Sequence, residues 1–304
     1  MRALACFAAA ALLFTRASGG DIGGVGATMG TERAPGTATA ARTGYLEDEA
    51  VCGLWRERLL SALYHFLAGR PDPNRVAGIL GLERVDFVTK DNRRLGGYVL
   101  RAYADPTRPA RGYVLVALGN AMLADQVVGA FRFLQADGFD VHVYDYRGYG
   151  LSEGRSRLAA VISDHLELIA HLNGAGYDHR FLYGMSLGGV VFLNAIGAGA
   201  AYDAALIDSP PSRVADYGCP RRLDPVENVP ADATRLGFVF GRRDSVVPSA
   251  AWRELAETGR ARGAFVLERA DFAHPMMDAD PTVRQARFDA IRAFFADRVR
   301  SAER

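Results

Sequence analysis

Three side chains of this chain have the types and the order that nucleophilic catalysis requires. Ser186 stands at the centre of a Gly-x-Ser-x-Gly motif, Asp244 follows it, and His274 comes last. A serine hydroxyl becomes reactive when an imidazole takes its proton, and a carboxylate must hold that imidazole in place. The order serine, acid, histidine is one of those in which such a triad occurs. The sequence therefore predicts Ser186, His274 and Asp244 as nucleophile, general base and orienting acid.

The residues around Ser186 predict a strand, a sharp turn and a helix. An apolar run, 181–185, leads into the turn, and a helix-compatible segment, 187–198, leaves it. Gly184 and Gly188 are needed because neighbouring chain packs closely around a strained turn. Such a turn lifts the serine hydroxyl clear of the sheet edge, where a base can reach it.

The positions of Asp244 and His274 after predicted strands identify them as the acid and the base. Catalytic groups of a doubly wound sheet lie on loops at the carboxyl ends of its strands. Asp244 follows the strand 236–240, although a capping or turn aspartate is its alternative role. Asp208, after the strand 204–207, is the second candidate acid. His274 follows the last strand. The remaining histidines are predicted to be structural or to lie at the wrong sheet edge: His65, His142, His165, His171 and His179.

Backbone N–H groups beside the nucleophile are candidates for an oxyanion hole. Asn120, which follows the strand 113–118, and Leu187, which follows the serine, are the predicted donors, with Ala121 as second choice to Asn120. Each donor of this kind contributes about 3 kcal/mol of transition-state stabilisation. The alternative is a plain strand-to-helix turn at Asn120.

The elements that must position these groups alternate along the chain. Segments 85–89 and 95–103 flank a polar turn and predict an antiparallel hairpin. Beyond it, apolar runs alternate with helical segments, which indicates a mostly parallel sheet covered on both faces. The further predicted strands are 113–118, 141–144, 181–185, 204–207, 236–240 and 264–267, and the helices are 122–137, 158–172, 187–198, 250–262 and 283–299.

Together these features resemble the α/β-hydrolase superfamily. The resemblance rests on the motif 184–188, on Asp244 and His274, and on Asp-Tyr-Arg-Gly-Tyr-Gly-Leu-Ser-Glu-Gly at 145–154, and it covers about residues 85–295. It is nearest to the cap-less or small-capped serine hydrolases, which include esterases, lysophospholipases, thioesterases and serine aminopeptidase-like proteins. In that family the loop 145–154 shapes the pocket and supports the nucleophile turn.

The resemblance implies an eight-stranded, mostly parallel sheet with an antiparallel N-terminal hairpin, helices on both faces and no large cap. Only residues 208–235 separate the strands at the usual cap position, which indicates an open site. One departure is Leu118-Gly119, where the family usually has His-Gly; the family's histidine is mainly structural, so activity is still expected.

The function these features indicate is hydrolysis of carboxylic esters through an acyl-enzyme. The substrate is expected to be a small acyl compound, and neither a metal nor an organic cofactor is required. The alternatives are a thioesterase, an amidase or peptidase on the same triad, or a binding protein that keeps the fold without turnover.

Composition excludes broad polyanion binding and indicates a packed core. A hydrophobic fraction of 49% with 23% charged residues is ordinary for a globular protein, and the formal charge of +1 provides no broad basic field for nucleic acid or an anionic membrane. We find no internal repeat or second core, so residues 45–304 are predicted to form one domain with an extra N-terminal helix at 46–67.

The first 44 residues differ from the rest. A charged start, the apolar run 3–14 and small residues at 17–19 predict a signal peptide at 1–19, since the run is shorter than the ~20 residues that span a bilayer. Residues 20–44 are predicted to be a flexible leader. Secretion or a periplasmic location follows, or membrane anchoring if the N-terminus is not cleaved.

Three cysteines occur, and none has a metal-site spacing or a catalytic context. Loss of Cys6 with the signal peptide leaves Cys52 and Cys219. These two form either a disulfide or two unrelated thiols, because sequence does not place them within bonding distance.

Overall fold

The computed structural model describes residues 49–103 and 110–303. These residues form an eight-stranded sheet and the helices that pack on it. The predicted signal peptide, 1–19, and the predicted leader, 20–44, lie outside the described residues and stay predictions.

The sheet has the strand order β1-β2-β4-β3-β5-β6-β7-β8. Its strands are β1 (Leu82–Val88), β2 (Arg94–Leu100), β3 (Gly112–Ala117), β4 (Phe139–Tyr144), β5 (His179–Met185), β6 (Ala204–Asp208), β7 (Leu236–Gly241) and β8 (Phe265–Arg269). β1 and β2 form the predicted hairpin, β2 also pairs antiparallel with β4, and the other neighbours are parallel. The predicted sheet is confirmed, and the carboxyl ends of its parallel strands share one edge.

The helices in the described residues are α1 (Leu54–Ala68), α2 (Ala124–Val127), α3 (Arg132–Ala136), α4 (Leu158–Asn173), α5 (Leu187–Gly197), α6 (Ser249–Ala261) and α7 (Pro281–Ala302). The prediction of one continuous helix over 122–137 is wrong, because a 3-10 segment, Val128–Phe131, separates α2 from α3. β-branched valines and Gly129 at this point have low helix propensity, which favours the break.

Successive residues of each central strand contribute to opposite faces of the sheet. In β3, Val114 and Val116 belong to one buried cluster, whereas Tyr113 and Leu115 belong to the other. α2, α3 and α7 contribute to the first cluster, and α4, α5 and α6 supply apolar residues to the second. The helices therefore cover both faces, as predicted for a mostly parallel sheet.

The segment between β6 and β7 contains no cap domain. Its regular structure consists of three short 3-10 turns, Ala215–Tyr217, Arg221–Leu223 and Pro225–Asn228. The absence of a large cap is confirmed for this segment, all of which the structure describes.

The N-terminal helix begins later than predicted and is attached covalently. Residues 49–53 are not helical, and α1 starts after Gly53, whose φ of 57° ends the non-helical segment. Cys52 forms a disulfide with Cys219, so the beginning of α1 is joined to the segment that follows β6. Among the described residues no helix has the length and apolar character to cross a bilayer.

Candidate active site

Ser186 occupies a strained turn between β5 and α5. Its φ and ψ are 51° and −112°, a conformation that costs on the order of 1–3 kcal/mol for a residue other than glycine. A Cβ on Gly184 would lie 2.6 Å from the Gly188 carbonyl oxygen, and a Cβ on Gly188 would lie 2.1 Å from that of Ala117. Both motif glycines are thus required by close approach of backbone. The Ser186 N–H donates to the Asp208 carbonyl at 2.7 Å, which ties the turn to β6.

His274 and Asp244 meet in a buried hydrogen bond. His274 Nδ1 lies 2.7 Å from Asp244 Oδ2, and each residue is 5% exposed. The other carboxylate oxygen, Oδ1, accepts the N–H groups of Val246 and Val247, each at 2.8 Å. The two roles weighed for Asp244 therefore coexist, since one oxygen organises the turn and the other faces the imidazole. With Nδ1 engaged, Nε2 is the nitrogen left to accept a proton.

The second candidate acid, Asp208, has other partners. Its carboxylate is fully buried and accepts hydrogen bonds from Arg287 Nη1 at 2.7 and 2.9 Å, from the Tyr183 hydroxyl at 3.0 Å and from Ser209 Oγ at 3.1 Å. These contacts occupy both oxygens, and Asp244 is the acid that the structure pairs with His274.

Arg287, on α7, links the nucleophile turn to the histidine loop. Besides Asp208, its guanidinium donates from Nε to Asp278 Oδ2 at 2.7 Å and from Nη2 to the carbonyl of Ala273, the residue before His274. Asp278 Oδ1 in turn accepts the Ala273 N–H at 2.7 Å. Burial opposes the charge, but the two carboxylates outweigh it and raise the pKa of Arg287 above its ordinary value.

Arg287 and Asp278 were not found from the sequence. An arginine in a charged C-terminal helix has the appearance of a solvent-facing residue, and no spacing links it to Asp208. Only its burial in the folded chain, with 2% exposure, marks it as part of the site.

The predicted oxyanion donors follow two adjacent parallel strands, β3 and β5. β3 pairs with β5, with Ala117 opposite Gly184, so Asn120 lies on the loop beside the Ser186 turn. Ala121 has a φ of 57° and donates its N–H to Asn120 Oδ1 at 3.1 Å, which leaves Asn120 as the better candidate of the two. Leu187 begins α5, where the first N–H groups have no acceptor within the helix.

Leu118, which stands where the family has histidine, is fully buried. Its carbonyl accepts a hydrogen bond from the Tyr146 hydroxyl, and the Tyr149 hydroxyl reaches Asn120 Oδ1 at 3.3 Å. Two tyrosines of the loop 145–154 thus hold the candidate oxyanion loop in place.

The loop 145–154 is itself firmly anchored. Asp145 accepts the N–H groups of Ala124 and Leu151 at 2.7 and 2.8 Å, while burial raises its pKa to about 6. Arg147 is buried and pairs with Asp91 and Asp164. The loop therefore supports the candidate oxyanion loop. That it shapes the pocket and supports the nucleophile turn stays a prediction.

Two further histidines are buried away from these groups. His142 in β4 and His165 in α4 are nearly inaccessible, and burial lowers the pKa of each to about 4. Both are neutral packing residues near pH 7. Across 49–103 and 110–303, the structure contains no cluster of three or more histidine, cysteine and acidic side chains that could hold a metal ion.

Comparison with known proteins agrees with this arrangement. The family model "Serine aminopeptidase, S33" matches residues 108–229, a span that includes Ser186 but ends before Asp244 and His274. The esterase Pf2001 of Pyrococcus furiosus superposes with a TM-score of 0.58 at 17% identity, covering 76% of this chain and 95% of its own. This chain has the α/β-hydrolase fold.

Two further proteins are similar to this chain, one in fold and one in sequence. An acylaminoacyl peptidase in complex with a chloromethyl ketone superposes with a TM-score of 0.54 at 16% identity, covering 71% of this chain and 41% of its own. The uncharacterized protein YfhR of Escherichia coli K12 is 30% identical over 132 residues, which are 42% of this chain. The match spans less than half of that relative, 46% of its length. The match of residues 108–229 to the serine aminopeptidase model supports a hydrolase in general.

Proposed function

We propose that this α/β-hydrolase is a serine hydrolase that cleaves carboxylic esters through an acyl-enzyme. The observation that carries the proposal is the buried contact of 2.7 Å between His274 Nδ1 and Asp244 Oδ2, at the sheet edge where the strained turn presents Ser186. A structural histidine has no need of a buried carboxylate on a separate strand-end loop.

In the proposed reaction His274 Nε2 takes the hydroxyl proton of Ser186 as the oxygen attacks the acyl carbonyl. Asp244 stabilises the imidazolium that results. The N–H groups of Asn120 and Leu187 bind the oxyanion of the tetrahedral intermediate. The imidazolium then returns the proton to the leaving alcohol, and water, activated in the same way, releases the acid from Ser186.

The short segment between β6 and β7 favours esters over other acyl compounds, because its regular structure is three short turns and it contains no lid domain. The family-model description and the acylaminoacyl peptidase neighbour point to aminoacyl amides as the alternative substrate class. The same triad serves both.

The test is turnover by the full chain of p-nitrophenyl esters of increasing acyl length, a thioester and an aminoacyl nitroanilide. We expect ester hydrolysis that Ser186→Ala abolishes. Ser245→Ala is the matched control, since Ser245 is an exposed serine beside Asp244 and its loss should leave the rate unchanged. Folded protein without turnover of any substrate, or unchanged turnover by Ser186→Ala, contradicts the proposal.

We also propose that the protein is exported. The predicted signal peptide, 1–19, and a disulfide between Cys52 and Cys219 support this, since disulfides persist in oxidising compartments. Mass spectrometry of protein recovered from outside the cytoplasm should show a chain lacking the first 19 or so residues; exported protein that retains Met1 excludes cleavage.

A further inference from the structure

The side of α1 that faces solvent is unusually apolar. Trp55, Leu59 and Phe66 are 80%, 68% and 80% exposed, and Ala62 is also exposed. These residues are spaced by four, three and four positions, so they form one stripe along the helix. We call Trp55, Leu59, Ala62 and Phe66 the outer face of α1. A helix packed on a globular protein normally turns such a stripe towards the core.

The opposite side of α1 is held to the domain by polar contacts. The Glu57 carboxylate, 7% exposed, accepts the N–H groups of Leu158 and Cys52 at 2.7 and 2.8 Å. Ser61 Oγ donates to the Ser156 carbonyl at 2.8 Å. Together with the disulfide of Cys52, these contacts fix the rotation of α1, so the outer face stays directed at solvent.

Cations border the outer face. Arg56 and Arg58 are exposed, and the helical repeat places one of them on each side of the outer face. The exposed Arg70 follows the end of α1. Glu57 is the acidic residue of this helix, and it is turned inward. An apolar stripe with tryptophan and phenylalanine between arginines matches the boundary between the acyl chains and the anionic headgroups of a bilayer.

We infer that the outer face of α1 binds an anionic lipid surface. A second copy of the chain fits less well, because contact between two outer faces would bring Arg56 and Arg58 of one copy close to those of the other, and like charges repel. The apolar run 3–14 of this chain fits less well too, since it has no acidic residue to meet Arg56 and Arg58. A phospholipid surface satisfies both the apolar side chains and the cations.

The helix that carries the outer face, α1, also contacts the loop beside the candidate site. His65 Nδ1, on α1, lies 2.8 Å from the Gly148 carbonyl oxygen. The centroid of its ring lies 5.9 Å from the centroid of the Tyr149 ring, in an edge-to-face arrangement. Tyr149 in turn reaches Asn120. A protein bound through α1 would therefore hold the loop beside its candidate oxyanion group near the lipid. The inference itself does not depend on catalysis and is tested without it.

The experiment is sedimentation of the full chain with phosphatidylcholine vesicles, with and without phosphatidylserine. We expect binding to the anionic vesicles that falls roughly a thousandfold or more when Trp55, Leu59 and Phe66 are all changed to Ser, because each large apolar group buried in lipid contributes about tenfold or more and the three factors multiply. Arg56→Gln with Arg58→Gln should weaken anionic binding and reduce its salt dependence, since Arg70 remains. Leu80→Ser is the control, because Leu80 is 75% exposed but lies outside α1.

The chain also contains its own probe. Of its two tryptophans, Trp55 is exposed and Trp252 is 3% exposed. Anionic vesicles should shift the emission to shorter wavelength, and Trp55→Phe should remove the shift while binding persists. The inference is overturned if Leu80→Ser loses as much vesicle binding as the triple variant does. It is also overturned if vesicle binding depends on Leu12 and Leu13 but not on the outer face. A third contrary result is the absence of vesicle binding together with a dimer that the triple variant dissociates.

Discussion

Replacing Arg287 with methionine should destabilise the protein more than any surface substitution. The change removes the donors that reach both oxygens of Asp208, one oxygen of Asp278 and the Ala273 carbonyl. It leaves two carboxylates, each at most 5% exposed, without their countercharge. Loss of one partner from a buried ion pair costs about 3–5 kcal/mol, so we expect the free energy of unfolding to fall by about that amount.

The same substitution should lower turnover in protein that remains folded. Arg287 connects Asp208, whose carbonyl holds Ser186, with Ala273, the neighbour of His274. A shift of about 1 Å between nucleophile and base costs on the order of 100-fold in rate. We expect kcat to fall by about that factor while KM changes little, because Arg287 is buried away from substrate.

Urea denaturation and steady-state ester hydrolysis measure the two effects. Arg292→Met is the matched control on the same helix, since Arg292 is 53% exposed and its pair with Asp137 contributes at most about 1 kcal/mol. Combining Arg287→Met with Asp208→Asn and Asp278→Asn should restore stability but not kcat, as the unpaired charges are gone. An Arg287→Met protein with wild-type stability and wild-type kcat refutes the reasoning.

Three further predictions concern the acid, the disulfide and a buried histidine. Asp244→Asn should lower kcat by about 10⁴-fold without loss of fold, measured by ester hydrolysis and circular dichroism. Cys52→Ser should lower the free energy of unfolding by about 2–5 kcal/mol in urea, because the disulfide closes a long loop. Burial holds the pKa of His165 at about 4, below its ordinary 6.5, so only the unfolded chain takes this proton as pH falls from 6.5 towards 4. His165→Leu should therefore flatten the loss of stability over that range, by at most about 1.4 kcal/mol per pH unit.

Each of these has a contradicting outcome. If Asp208→Asn lowers kcat more than Asp244→Asn does, at equal stability, then Asp208 and not Asp244 is the acid that orients His274. A Cys52→Ser protein as stable as the wild type under oxidising conditions would show that the disulfide does not stabilise the fold. A His165→Leu protein with an unchanged slope of stability against pH would mean that His165 is protonated in the fold.

The strands and the site loops were predictable because their signals are local. In β3, Tyr113 to Ala117 is a continuous apolar run, as expected for a strand buried on both faces. Gly184 and Gly188 mark a turn where an added Cβ would meet backbone. The position of His274 after the last strand brings it to the sheet edge where Asp244 lies. Each of these inferences needs only neighbouring residues and the rule that parallel strands end together.

The rest depended on contacts distant in sequence. The apolar spacing in α1 predicted a helix, but its orientation is set by Glu57 and the Cys52 disulfide, so Trp55 faces solvent rather than the core. Arg287 is separated from Asp208 by 79 positions, and no local pattern marks that pair. Pairing of Cys52 with Cys219 likewise follows from the packing of α1 and was an open question in the sequence.

The central claim is that Ser186 is made nucleophilic by His274. Labelling of the full chain with a fluorophosphonate, followed by peptide mass spectrometry, tests it most directly. The account predicts one phosphonylated residue, Ser186, with no labelling of Ser186→Ala and labelling of His274→Ala slowed by orders of magnitude. Labelling of another residue, or equally fast labelling of folded His274→Ala, contradicts it.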